Sequence, residues 1–321
     1  MQKILIIRLS SIGDIVLTTP IIRCIKLQTK AELHYLTKKQ YVDLVISNPY
    51  IDNLIIFEGD IRDTIRVLKK EHYSIIIDLH NSLRSFWIKI NIRVKAYSLN
   101  KYNIRRFLLI NFGINLMNKH IVDRYFETCN PIGVINDNKG LQFFMPANIK
   151  LQFNLNQQYV AWCIGASFEQ KMLSETQIVE VSNKLRLPIV LIGGAKEKKM
   201  GSSILKHSKN KNIYNFCGKF SINQSALIIK NSCVVLTNDT GFMHIASSFK
   251  KKIISFWGCT KPSLGYYPYM TANLSTQIIS KKRKHPCSKH GEHCKVNFRG
   301  CIKEIDSKLI LNEIEKVIEQ H

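Results

Sequence analysis

Two short stretches carry side chains that could do chemistry where a strand gives way to a helix. The first is R-L-S-S-I-G-D-I-V at residues 8–16, where Ser10, Ser11 and Gly13 form a polar turn and Asp14 opens a helix. A carboxylate there complements the dipole of a first helical turn, or it faces a cleft as a general base that takes a proton from a hydroxyl. The second is V-L-T-N-D-T-G-F-M-H at residues 235–244, in which a buried strand runs into Asn238, Asp239, Thr240 and Gly241 before a helix begins near Phe242. Backbone N–H groups and the Thr240 hydroxyl would face a strand-end crevice there and bind phosphate. Asp239 or Thr240 as a plain N-cap, Gly241 as a turn residue and His244 as a satisfied helix histidine are the plainer readings of the same residues.

Between these stretches, C-I-G-A-S-F-E-Q-K-M-L ends a strand at Gly165 and presents Lys171, and L-I-G-G-A-K-E-K-K ends another at Gly193 and Gly194, with Glu197 following. Glycines permit close backbone approach, and a lysine across from a helix N-terminus clamps a diphosphate. The sequence holds no G-x-x-x-x-G-K-[S/T] loop and no G-x-G-x-x-G, which disfavours a nucleotide hydrolase or a dehydrogenase. The tail H-P-C-S-K-H-G-E-H-C-K-V-N-F-R-G-C carries Cys287, Cys294 and Cys301 with His285, His290 and His293. A Cys3His zinc site is conceivable, but the C-x6-C-x6-C spacing lacks the C-x2-C knuckle of structural sites. The expectation is therefore no metal, and a packed loop with free thiols or one labile disulfide.

Positioning these residues needs strands that end where they begin. Short apolar runs at residues 3–8, 33–37, 54–57, 74–78 and 94–99 alternate with helical patterns at 62–70 and 83–92. A polar, Asn-rich stretch at 136–156 interrupts the alternation. It resumes with strands at 159–164, 189–192, 213–216, 234–237 and 253–257 and helices at 174–185, 197–207, 224–230 and 242–249, and a last amphipathic helix at 307–319 takes Ser307 as its cap. Pro20 bends the helix after Asp14 or sits in an early turn. The expected architecture is α/β, with two parallel-sheet domains at residues 1–150 and 151–321 and ligands outside the carboxyl ends of the strands. No internal repeat of solenoid length is present.

At 321 residues the chain is long enough for two domains with separate cores. It has no apolar run long enough to span a bilayer and no signal-peptide pattern, and its nine cysteines fall mostly singly in apolar segments, which points to a reducing, cytoplasmic setting. A net charge of +24 asks for an acidic partner or reflects A/T-rich codons for Lys, Ile and Asn. Nucleic acid is disfavoured, because no stacking motif, zinc-finger spacing or helix-turn-helix signature is present and the charge is spread over both halves.

The opening I-L-I-I-R-L-S-S-I-G-D-I-V-L-T-T-P, D-L-H-N-S-L-R-S at 78–85, H-I-V-D-R-Y at 120–125, G-A-S-x-x-x-K at 165–171 and T-N-D-T-G-x-M-H at 237–244 resemble, in order and over almost the whole chain, glycosyltransferase family 9, the heptosyltransferases of lipopolysaccharide biosynthesis. The resemblance implies a GT-B arrangement, two Rossmann-like domains facing across a cleft, with the acceptor on the N-terminal domain and the donor on the C-terminal one. It implies Asp14 as the base and Lys171 as the diphosphate clamp, with Asp239, Thr240, Gly241 and His244 in the donor loop and Gly165, Gly193 and Gly194 beside it. Glu197 would meet the ribose, and Ser10, Ser11, Gly13, Arg84 and Arg124 the acceptor.

The implied reaction is an inverting, metal-independent transfer of heptose from ADP-heptose to a lipid-linked lipopolysaccharide core acceptor, Kdo or heptose, with no cofactor. The expected setting is a cytoplasmic monomer, and the basic residues Arg84, Lys89, Arg93, Lys95, Lys101, Arg105 and Arg106 either hold it reversibly at an anionic inner-membrane surface or form only a solvated face. Two departures from the family pattern stand out, W-G-C-T-K-P at 257–262 in place of an F-G-P-T-D-P-like motif and Phe242 in place of proline. The alternatives are another nucleotide-sugar donor, another envelope glycan acceptor, or a non-catalytic scaffold, although a silent relative would be expected to have lost Asp14 or Lys171.

Overall fold

The isoleucine-rich run at the start of the chain forms β1 (Lys3–Ile7), and its four isoleucines and leucines are wholly buried, as befits a central strand covered on both faces. The structure is a computed structural model that describes residues 2–151, 153, 155 and 157–319; Gln152, Asn154 and Asn156, within the polar stretch read as a linker, lie outside the described residues, as do Met1 and the last two. The chain divides into two compact units, Met1–Tyr102 with Lys119–Ala147 and Asn103–Asn118 with Asn148–His321.

In the first unit β1 leads to α1 (Ile12–Val16) and α2 (Thr19–Thr29), then β2 (Glu32–Lys38), β3 (Asn53–Phe57), α3 (Ile61–Lys69), β4 (Ile75–Asp78), α4 (Leu83–Ile92) and β5 (Lys95–Ser98). Two helices follow β1 where one bent helix was conceivable, because the Thr18 and Thr19 hydroxyls donate to the Ile15 and Val16 carbonyls at 2.7 and 2.8 Å and close the first helix. Pro20 then sits in the first turn of α2, where its missing N–H costs nothing. The sheet order is β3-β2-β1-β4-β5 with every pairing parallel. Ile7 stands opposite Leu36 on one side and Asp78 on the other, so the loops after β1 and β4 leave the sheet side by side.

The second unit takes in α5 (Asn103–Phe112), while α6 (Ile121–Cys129) returns to the first and packs on α2. Neither helix is among those read from the sequence pattern. The second unit continues through β6 (Val160–Cys163), α7 (Glu175–Ser182), β7 (Ile189–Ile192), α8 (Lys198–His207), β8 (Ile213–Asn215), α9 (Ile222–Asn231), β9 (Val234–Asn238), α10 (Gly241–Ser248), β10 (Lys252–Trp257), β11 (Thr276–Ile279) and α11 (Ser307–Glu319). Its parallel sheet runs β11-β10-β9-β6-β7-β8 around a core that includes Trp162, Leu236 and Phe256. Cys163 pairs with both Ile192 and Thr237, and Phe256 with Asn238, so the residues after β6, β7, β9 and β10 emerge at one sheet edge.

Two details differ from the sequence reading. Thr276–Ile279 forms an unpredicted edge strand, half exposed and flanked by polar residues that obscure its period. The last helix is capped by Asp306 and not by Ser307, since the Asp306 carboxylate accepts the Lys308 N–H at 2.9 Å. Among the described residues, no helix is long and apolar enough to cross a membrane.

Candidate active site

In the first unit the chemistry gathers at the end of β1. Asp14, in the first turn of α1, takes the Arg8 guanidinium on Oδ1 at 2.7 Å, and its Oδ2 accepts the Ser11 hydroxyl at 2.9 Å and the Ser11 N–H at 3.3 Å. Burial pushes the Asp14 carboxyl up, but the Arg8 charge and the Ser11 hydrogen bonds together outweigh it and hold the group below its ordinary value. Asp14 is therefore an ionised, partly exposed carboxylate at neutral pH, as a proton acceptor must be.

Arg8 is itself fixed from three sides. Its Nε donates to the Ser10 carbonyl at 2.7 Å, its Nη1 donates to the Leu79 carbonyl at the exit of β4, and its guanidinium lies 5.9 Å from the centre of the Tyr125 ring on α6. Sequence reasoning missed this residue, although an arginine closing an otherwise apolar strand is itself a signal. The adjoining His80 is brought down to about 4 by burial and then by the Arg8 charge, so its imidazole is neutral at pH 7.

The remaining acceptor-side candidates scatter. Gly13 is buried within α1, next to Asp14. Arg84 is exposed in the first turn of α4. Arg124 is almost wholly buried on α6, with its guanidinium 5.4 Å from the Tyr102 ring centre. Asp78 is buried, accepts the His80 and Asn81 N–H groups at 3.0 and 2.7 Å, and pairs with Lys89 Nζ at 2.7 Å. Lys89 is thus a structural partner and not a surface cation, and Arg106 is likewise buried with a bond to Asn103. Both drop out of the basic surface read from the sequence.

In the second unit, Lys171 Nζ meets Asp239 Oδ2 at 2.7 Å, and the same oxygen accepts the Thr260 hydroxyl at 2.8 Å. Lys171 ends a short 3-10 turn after β6, Asp239 follows β9 and Thr260 follows β10, so three strand ends build one cluster. Asn238 ties it to β6 by donating to the Ile164 and Gly165 carbonyls at 2.9 and 3.3 Å. Thr240 is the N-cap residue of α10 yet makes no side-chain capping bond, so the cap reading does not account for it. His244 lies buried one turn into that helix. This edge presents an ammonium group, a helix N-terminus and a hydroxyl that makes no capping bond, which together suit a diphosphate.

The glycines serve Glu197 first. A β-carbon at Gly165 would lie 2.7 Å from Glu197 Cδ, and one at Gly193 2.7 Å from Glu197 Cβ, while Glu197 Oε2 accepts the Gly194 N–H at 2.8 Å. Close approach at these positions is therefore approach of this side chain, which is almost wholly buried. Lys261, read only as a departure from the family pattern, is buried and donates to the Ser280 carbonyl at 2.7 Å. For metal ligation, Cys259 joins Cys287, Cys294 and Cys301, with the four sulfurs all within 4.8 Å of one another. His285 instead bonds the Ile110 carbonyl at 3.2 Å.

The pattern of Glycosyltransferase family 9 (heptosyltransferase) matches residues 61–296. Lipopolysaccharide heptosyltransferase 1 of Campylobacter coli is 23% identical to this chain, over 98% of it and 99% of that protein. Among solved structures, the family 9 glycosyl transferase of Veillonella parvula superposes with a TM-score of 0.82 at 17% identity, covering 100% of this chain and 98% of that one. The Escherichia coli ADP-heptose lps heptosyltransferase II gives 0.74 at 17% identity, with 99% of each chain covered. The fold is accordingly the two-domain α/β class called GT-B.

Proposed function

The chain belongs to glycosyltransferase family 9 and is a glycosyltransferase; from that premise we propose that it moves a heptose from ADP-heptose onto the lipopolysaccharide core, to Kdo or a heptose, with inversion and without a metal ion at the reacting centre. The observation that carries this reading is the Asp14 carboxylate, kept ionised by Arg8 and Ser11 at the mouth of a parallel sheet. The acceptor oxygen attacks the anomeric carbon as its proton passes to Asp14, and the bond from that carbon to the phosphate oxygen breaks with its electron pair leaving on the diphosphate. Lys171 and the first turn of α10 oppose the charge that builds on the leaving group. Asp239 holds Lys171 in place until the donor arrives. Heptose and lipopolysaccharide are supported by the names of the relatives, and ADP by the names of several structural neighbours.

The same proposal places the protein at the cytoplasmic face of a membrane, where a lipid-linked acceptor is made. On α4, Leu83, Phe86, Trp87 and Ile90 are exposed beside Arg84, a combination of apolar and aromatic side chains with positive charge that suits an anionic lipid interface. A single-turnover reaction of the purified protein with ADP-heptose and truncated core lipids, read by mass spectrometry, tests the reaction. An acceptor gaining one heptose is the expected product, and transfer from another nucleotide sugar with none from ADP-heptose would replace the donor.

A further inference from the structure

We propose that Cys259, Cys287, Cys294 and Cys301 bind one metal ion of the zinc or iron class as a tetrathiolate site, and that the ion fixes the loop that braces Lys171. The four sulfurs converge from three places: Cys259 just beyond β10, Cys287 and Cys294 in the loop after β11, and Cys301 at the start of a 3-10 turn. A tetrahedron with metal–sulfur bonds of about 2.3 Å has sulfur–sulfur edges of about 3.8 Å. Cys287 and Cys294 stand 3.8 Å apart, far beyond a disulfide bond, and all four thiols are unbridged.

The surroundings are those of bound thiolates more than of packed thiols. The Val296 and Asn297 N–H groups both point at Cys294 Sγ, at 3.4 Å each, and such donors stabilise sulfur that carries charge. The ammonium of Lys261, two residues beyond Cys259, is buried and tethered to the Ser280 carbonyl. Four thiolates around a divalent ion carry a net charge of about −2, which a buried cation offsets, whereas four neutral thiols have no need of one. Residues 280–300 contain no helix or strand, so a metal is also what such a segment lacks to hold one conformation.

That loop touches the candidate donor cluster directly. Gly291, at φ +81°, has no room for a β-carbon, which would come within 2.4 Å of Lys171 Cγ, and one at Gly300, at φ +98°, would come within 2.5 Å of the Gln170 carbonyl oxygen. Thr260, next to Cys259, donates to the Asp239 that pairs with Lys171. The metal thus sits behind the lysine as a positioning element, a role that rests on the donor-site reading proposed above; the metal site itself does not.

The test begins with metal analysis of the full-length protein purified without a metal-affinity step. About one zinc or iron per chain is expected, iron being recognised by thiolate-to-metal colour and zinc by its absence, and cobalt replacement should give the spectrum of a tetrahedral sulfur site. Cys294→Ser and Cys259→Ser should lower metal affinity by about tenfold or more, whereas Cys233→Ser should not. A metal-free protein with four titratable thiols, or with disulfides by mass spectrometry, overturns the site, and the cobalt spectrum of the unmutated protein decides the matter if the variants misfold. ADP affinity by calorimetry should fall about tenfold in folded, metal-stripped protein, the scale of a lost outer contact. Unchanged affinity there overturns the bracing role alone, and failure of the metal-loaded protein to bind ADP overturns the donor reading and leaves the metal site standing.

Discussion

Arg8 and Asp14 meet at 2.7 Å across the turn that follows β1, and the arginine is held by carbonyls from two different loops while the aspartate keeps 22% of its side chain exposed. The pair therefore divides its work. Arg8 is immobilised and sets the charge state, and Asp14 remains open to a reacting hydroxyl. Replacing Asp14 by Asn preserves the shape and the Ser11 contact but removes the carboxylate proposed above as the proton acceptor. Transfer should fall by about a hundredfold or more, with donor affinity unchanged, in single-turnover and calorimetric measurements. Near-normal turnover would remove Asp14 from the catalytic role.

The pH dependence follows from the same pair. The Asp14 carboxyl lies below its ordinary value of 3.8, so the stabilisation from the pair is fully present above that value and is lost as the pH falls through the lower folded one. In Arg8→Met the opposing charge is gone and burial governs. The acid limb of the kcat/KM profile should then move to higher pH, by about one unit or more. A limb that stays in place would mean that another group sets it.

Lys171→Ala should weaken ADP binding and slow transfer together, because on the donor reading proposed above its ammonium group, now paired with Asp239, would meet both the bound donor and the departing nucleotide. It also leaves Asp239, among the described residues, with the Thr260 hydroxyl alone, so the double variant Lys171→Ala/Asp239→Asn should recover some affinity by removing a carboxylate without a cation from the site. Calorimetry on both proteins checks this, and equal affinities for the single and double variants would show that Asp239 does not repel the diphosphate.

Stability of the first unit should depend on a pair far from the chemistry. Arg23 on α2 is nearly inaccessible and holds Asp137 through two bonds, at 2.8 and 2.7 Å. The bonds from Arg23 draw the Asp137 carboxyl down to about 2, against burial. Asp137→Ala leaves a buried guanidinium without its carboxylate and should cost about 3 kcal/mol at pH 7, read as a lower denaturant midpoint. In the unmutated protein this contribution should persist above pH 3.8 and fade only as the pH approaches 2.

For the membrane, co-sedimentation with anionic vesicles should be strong at low salt, weaker at raised salt and small with neutral lipid. Trp87→Ala should reduce it severalfold, as the loss of an interfacial aromatic anchor would. Binding to neutral and anionic vesicles alike, or to neither, would leave the exposed face of α4 without that role.

Local signals in the chain were enough to reveal the strands except the edge strand at Thr276–Ile279, their parallel alternation with most of the helices, and the loops in which Asp14, Lys171, Asp239 and Thr240 lie, because burial period and strand-to-helix junctions are properties of neighbouring residues. The family pattern was also legible, since it is written in those same loops. Contacts between distant segments were not. Nothing near Cys259 in the chain announces Cys287, Cys294 and Cys301, and only the packing of the β10 exit against the loop after β11 brings them within 4.8 Å. Likewise Lys89 reads as a surface cation until buried Asp78 claims it, Arg8 as an odd charge in a strand until Leu79 and Tyr125 enclose it, and Gly291 as a loop glycine until Lys171 lies against it. In each case the partner is chosen by how separate elements stack, a choice made by the burial and charge balance of the whole unit and not by the residues on either side.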